Sequence, residues 1–184
     1  MAFGVDNGKP TGGVQRPARR VTIGQGEYAV LDEPDAVIST ILGSCVAACV
    51  RDTRRGFGGM NHFVLPGPHA NSPHAADRAR YGDCLMALLV DDLFARGATR
   101  NCLEARIFGG ASPLGFESTV GRNNAAFALR FLQEQGIAVV EMTVGGPQGC
   151  KLDYWPVSGK TTHTLLMGTQ KPVPPRGARR TVIT

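Results

Sequence analysis

Gly43-Ser44-Cys45 brings two small residues up to a thiol, the arrangement in this 184-residue chain best suited to covalent chemistry. Small residues before the sulfur leave room for a substrate carbonyl, and the exposed backbone N–H groups there can hold the oxyanion of a tetrahedral intermediate. Five cysteines, at 45, 49, 84, 102 and 150, make an odd count with no CxxC pair and no secretory context, so reduced thiols are expected. Cys49, embedded in VAACV, reads as a small buried hydrophobe instead.

A thiol with a pKa near ~8.5 is only a few per cent thiolate at neutral pH, so a nucleophilic cysteine needs a base beside it. Of the four histidines, His69 and His74 lie in the loop-like PGPHANSPH, and His163 begins a late strand. His62 lies in GGMNHFVLP, among apolar residues on an expected central strand. A hairpin return from a strand at 46 to 50 would lay His62 beside Cys45. No Asp or Glu is close in sequence to either residue in an apolar setting, so a hydroxyl is the economical group to orient the ring, from Ser39 or Thr40. Successive strand residues point to opposite faces, so only one of them can serve. Two readings compete: a zinc site from Cys45, Cys49 and His62, for which Cys49 falls too far along a strand, and a core in which Cys45 and His62 are simply satisfied buried residues.

The elements that must position these groups follow from periodicity. Val21 to Asp32 reads as one or two short strands with a Gly break, and Pro34 ends it. Ala36 to Val50, apolar on both sides of Gly-Ser, fits two buried strands or a strand and a helix start meeting at a tight turn. Arg51 to Gly56 reads as a hairpin connection to a strand at Phe57 to Leu65, and Pro66 to Pro73 as a loop. Tyr81, Leu85, Leu88, Leu89 and Leu93 recur at helical spacing, predicting a helix over about Ala75 to Arg96 with Gly97 as its stop. Leu103 to Phe108 alternates as a strand and runs into Gly109-Gly110-Ala111-Ser112, where the backbone can turn sharply or approach a ligand. A second helix is predicted over about Asn123 to Gln135, with Phe127, Phe131 and Leu132 inward. Ile137 to Thr143 and His163 to Met167 read as further strands, separated by the Gly-rich GGPQG. Several strands and two main helices indicate a mixed α/β (α+β) layered domain.

Composition bounds the rest. The chain is long enough, and at 42% hydrophobic content apolar enough, for one core. Its apolar runs, such as Leu85 to Val90, are far shorter than a bilayer span, and MAFGVDNGKPTGG has no signal core, so a soluble cytoplasmic protein without membrane insertion is expected. The formal charge of +5 sits in Gly/Pro-rich ends: residues 1–20 carry +3 and residues 171–184 carry +4, leaving −2 for the middle. Disordered basic tails over 1–20 and 169–184, flanking one domain over 21–168, are expected in place of a nucleic-acid interface.

Ser39-Thr40-Ile41-Leu42-Gly43-Ser44-Cys45-Val46 resembles the TxxLGSCV-type signature of the CheD family, and His62 stands where that family has its histidine. The likeness spans about residues 21 to 168, through GEYAV, Tyr81-Gly82-Asp83, Gly109-Gly110-Ala111-Ser112, Phe116-Glu117-Ser118 and Gly145-Gly146. The resemblance implies hydrolysis of selected glutamine side chains of methyl-accepting chemotaxis receptors to glutamate, at receptor arrays, through a thioester and without metal or cofactor. It implies Cys45 as nucleophile, His62 as base and then acid, and Ser39 as the hydroxyl-bearing third residue, with Gly43, Ser44, Thr40, Gly110 and Ser112 around substrate or oxyanion. It further implies a layered α/β/β sandwich related to the catalytic domains of deamidating toxins, accessory receptor methylesterase activity, and binding to a CheC-type phosphatase. A non-catalytic adaptor for those partners is the alternative. Two departures are visible: Asn123, within Arg122-Asn123-Asn124, and Cys150, in GGPQGC, replace arginines usual in the family.

Overall fold

Two mixed β-sheets and two main helices make up the computed structural model, which describes residues 19–67, 81–112 and 119–166. In chain order they are β1 (Arg20–Thr22), β2 (Glu27–Leu31), β3 (Val37–Leu42), β4 (Val46–Asp52), β5 (Phe57–His62), α1 (Gly82–Ala95), a 3-10 turn (Arg100–Cys102), β6 (Leu103–Gly109), α2 (Thr119–Glu134), β7 (Ala138–Val144), β8 (Cys150–Trp155) and β9 (Lys160–Leu165). The larger sheet has the order β2-β5-β4-β6-β7 and the smaller β1-β3-β8-β9. Each combines antiparallel pairs with one parallel pair, β6 with β7 and β1 with β3.

The alternation of strand side chains divides the interior into two layers. Val46, Ala48 and Val50 of β4 join Phe57, Leu85, Leu89, Leu93, Ala128 and Leu132 in a cluster between the larger sheet and the helices. The intervening Cys45, Ala47 and Cys49 join Ile38, Leu42, Met60, Phe108, Leu152 and Tyr154 between the two sheets. Helices, one sheet and the other sheet thus stack as α/β/β, the expected layering. The Val, Leu, Ile, Phe and Met side chains of both clusters each gain roughly 1.5–3 kcal/mol by leaving water, which holds the central sheet from either side.

The expected strands over 21–32, 36–50, 57–65 and 103–108 all form, and the Gly43-Ser44 corner joins two strands rather than a strand and a helix. Three differences have physical reasons. The strand β8 falls in a stretch not expected to be one, although Cys150, Leu152 and Tyr154 alternate inward with Lys151 and Asp153 outward. The second helix starts at Thr119 rather than Asn123 and takes Gly121 into its first turn, where any side chain would strike the carbonyl oxygen of Gly110 at 2.3 Å. Leu88 of α1 is exposed, while Leu85, Leu89 and Leu93 carry the buried stripe. Arg20, assigned to the head, opens β1. The first helix begins at Gly82 rather than near Ala75, because Tyr81 is extended and bridges Leu65. Residues 1–18 and 167–184, which include the whole expected C-terminal tail and all of the expected N-terminal one but Arg19 and Arg20, lie outside the described residues, as do the His69/His74 loop, residues 75–80 and Phe116-Glu117-Ser118.

Candidate active site

Cys45 sits at the corner between β3 and β4, and the end of β6 wraps around it. Gly110 N–H donates to the Cys45 carbonyl at 2.8 Å, and Ala111 N–H donates to the Gly43 carbonyl at 2.8 Å. Gly109 and Gly110 both have positive φ, and a Cβ on Gly109 would lie 2.3 Å from the Cys45 carbonyl oxygen, so only glycine permits this approach. Around Gly43, by contrast, a Cβ would meet nothing within 4 Å. The small residues flagged in the sequence therefore divide: Gly109 and Gly110 hold the corner, and Gly43 leaves space beside it. The N–H of Gly110 is committed to Cys45, and that of Ser112 donates to the Gly146 carbonyl at 2.8 Å, so neither amide points to an oxyanion.

His62 ends β5, and its position relative to Cys45 follows from the register. Met60 pairs with Cys49, and further along the same two strands Phe63 bridges Val46 with hydrogen bonds in both directions, 3.0 and 3.1 Å. In that register the residue opposite His62 is Ala47, which puts His62 and Cys45 on the same face as diagonal neighbours. Such neighbours have Cα atoms about 7–8 Å apart, within reach of a ring and a thiol. Between the two pairings the ladder is interrupted, because Ala48 N–H donates to Asn61 Oδ1 at 2.9 Å instead of to a backbone carbonyl. The buried amide of Asn61, on the helix side of β5, wedges the strands one residue from His62.

Across the inter-sheet layer, Thr40 Oγ1 is 2.8 Å from His62 Nδ1 and donates to the Ile23 carbonyl at 2.8 Å. A hydroxyl has one proton. With that proton on Ile23, Thr40 accepts from Nδ1–H, which makes His62 the Nδ1–H tautomer and leaves the lone pair on Nε2. Nε2 is buried and has no hydrogen-bond partner. Burial pushes the His62 pKa down to about 4, against a smaller opposite pull from the Glu27 carboxylate, so the ring is neutral at physiological pH. A neutral imidazole held at one nitrogen leaves the other able to accept a proton. Ser39 faces the other way: its hydroxyl bonds Asp153 and accepts from Arg20 on the outer side of the smaller sheet. The hydroxyl expected at Ser39 to orient the ring is thus supplied by Thr40, because β3 alternates and Ile38, Thr40 and Leu42 are its inward residues.

Cys49, on the same face two pairs along, is 1% exposed, and burial in apolar surroundings raises its thiol well above the ordinary range. All five cysteines are thiols. Among the described residues no group of three or more His, Cys, Asp and Glu side chains is arranged to hold a metal ion, so Cys45, Cys49 and His62 do not form one. Cys45 itself is 6% exposed and His62 3%. Beyond Gly110 opens a cleft of about 430 Å³, mostly apolar, walled by Gly110, Ser112, Arg122, Leu129, Met142 and Gly145. Among the described residues, no helix is long and apolar enough to cross a membrane.

One site residue escaped the sequence reading. Asn124 of α2 is fully buried and donates through Nδ2 to the carbonyls of Ser44, at 3.2 Å, and Val64, at 2.9 Å. A polar residue in the inward stripe of a helix was the available signal.

Comparison with known proteins adds a family. Residues 64–164 match the family described as CheD chemotactic sensory transduction. A Rhizobium etli protein named "Probable chemoreceptor glutamine deamidase CheD" is 55% identical over 153 residues, covering 83% of each chain. A Rhizobium rhizogenes protein of the same name is 51% identical over 162 residues, 87% of this chain and 88% of that one. Among solved structures, a Neisseria meningitidis protein of the DUF152 family aligns over 68% of this chain and 62% of its own with a TM-score of 0.40 and 11% identity, too loose a likeness to carry an argument.

Proposed function

The chain belongs to the CheD family, and from that premise we propose that it hydrolyses glutamine side chains of chemoreceptors to glutamate, with Cys45 as nucleophile and His62 as its base. The observation that supports this most is the commitment of the Thr40 proton to Ile23, which leaves His62 Nε2 as the ring's acceptor nitrogen. His62 takes the Sγ proton as sulfur adds to the amide carbon, giving a tetrahedral oxyanion. The imidazolium returns that proton to the leaving nitrogen, the C–N bond breaks, and ammonia departs from a thioester. Water, deprotonated by His62, then attacks the thioester; glutamate is released and the thiol restored. Thr40 keeps the ring in the required tautomer throughout, the role given to the third member of a triad. The same steps apply to a methyl-glutamate ester with methanol as leaving group, so receptor methylesterase activity belongs to the proposal.

Ammonia release from a glutamine-bearing receptor fragment tests the reading. Cys45→Ala should lose at least ~10³-fold in rate, while Cys49→Ala stays within about threefold. Equal rates for wild type and Cys45→Ala would end it. The low exposure of Cys45 favours a second reading, a non-catalytic adaptor that binds chemoreceptors or a CheC-type phosphatase. An adaptor would co-sediment with receptor fragments equally well with or without the Cys45 thiol and release no ammonia.

A further inference from the structure

The two segments that carry Cys45 and His62 are joined through one side chain. Asn124, six residues into α2, spends both Nδ2 protons on them: one on the carbonyl of Ser44, directly before the nucleophile, and one on the carbonyl of Val64, two residues beyond the histidine. Its Oδ1 has no partner and the residue is 0% exposed. Only the donor half of the amide is used, and both of its bonds go to backbone at the site. A residue serving helix packing alone has no need of an amide here, since burying one with an unsatisfied oxygen is costly.

We propose that Asn124 is a positioning residue for the amidase reaction, fixing the Ser44–Cys45 peptide against the strand end that carries His62. A trans peptide is planar, so its C=O and the following N–H point in opposite directions. Holding the Ser44 carbonyl toward α2 therefore turns the Cys45 N–H away from the helix, as required of a donor to the oxyanion formed on the carbon that Cys45 attacks. The second bond, to Val64, ties that peptide to the chain leaving β5, one residue beyond the doubly hydrogen-bonded Val46–Phe63 pair, so Asn124 extends the β4–β5 connection past its last backbone rung to the corner.

This inference rests on the Cys45–His62 reading, and the experiment separates the two. With the full chain, kcat and KM for ammonia release from the receptor fragment are measured beside the pH profile of Cys45 alkylation by iodoacetamide, followed at the Cys45 peptide by mass spectrometry. Asn124→Ala should lower kcat about 10–100-fold with KM within about threefold, and displace the midpoint of Cys45 alkylation by more than about half a pH unit. Asn124→Ser, which retains one donor, should fall between and remains informative if the alanine variant does not fold. Leu132→Val, on the same helix and remote from the site, should lower the melting temperature while leaving kcat and the alkylation profile unchanged. An Asn124→Ala protein with wild-type kcat and alkylation profile overturns the proposal, as does a loss that Leu132→Val reproduces. If Cys45→Ala is inactive in either case, the amidase reading survives that failure; if Cys45→Ala is active, the reading itself falls.

Discussion

The two faces of the β4–β5 pair are built from alternate residues of the same strands, yet they do different work. Toward the helices lie Val46, Ala48, Val50, Phe57 and Phe63, closed over by Leu85, Leu89 and Leu93. Toward the second sheet lie Cys45, Ala47, Cys49, Met60 and His62, and there the His62 ring meets the Thr40 hydroxyl in the interior. The helix side contributes hydrophobic burial, and its polar side chains on the strands are spent on structure: Asn61 on backbone and Met86, and Asp52 on the N–H groups of Arg54, Arg55 and Thr99. The sheet side is where burial acts on chemistry, lowering the basicity of His62 and raising the pKa of Cys49. On the proposed mechanism, chemistry and stability fall on opposite faces of one ribbon.

If that division is real, damage to one face should not appear as a defect of the other. Leu89→Ala, on the helix side, should cost about 2–5 kcal/mol in denaturant unfolding while ammonia release per folded molecule is unchanged. A fall in kcat at constant folded fraction would break the separation. On the sheet side, acid should destabilise the fold through His62. Between pH about 6.5 and about 4 the unfolded chain binds a proton on this ring and the native one does not, so stability falls as pH falls through that window and levels off below it. The loss is on the order of 3 kcal/mol and should vanish from unfolding curves of His62→Asn, which lacks the titrating group. The smallest effect sharpens the comparison within β3. Thr40→Val should slow ammonia release about 10–100-fold with Thr40→Ser largely restored, and Ser39→Ala should stay within about threefold. The reverse ranking would move the ring's support to the outer side of the smaller sheet.

Much of this was legible before any coordinates. Cys45 announced itself by small neighbours, His62 by being a polar ring in an apolar strand, and the layering by strand and helix periods. Which hydroxyl meets the ring was not legible, because alternation says that Ser39 and Thr40 diverge without saying which face the histidine occupies; that depends on β3 lying in the other sheet. The resemblance pointed to Ser39, and the inward register of Ile38 and Leu42 selects Thr40. Strand β8 was hidden by its lysine and aspartate, although its inward residues alternate cleanly. Asn124 shows in the sequence only as a polar residue in the inward stripe of α2; its partners are backbone carbonyls, which side-chain patterns do not name.

The contact between Gly110 and Gly121 ties these regions together. A Cβ on Gly121 would come within 2.3 Å of the Gly110 oxygen, and Gly110 is the residue whose N–H holds the Cys45 carbonyl. A single methyl group added to the helix at that point has nowhere to go except by lifting α2 or shifting the turn beneath it. Either displacement travels to the thiol, so the distance of closest approach between helix and strand end acts as a mechanical stop for the corner, and the site inherits its precision from the absence of two side chains.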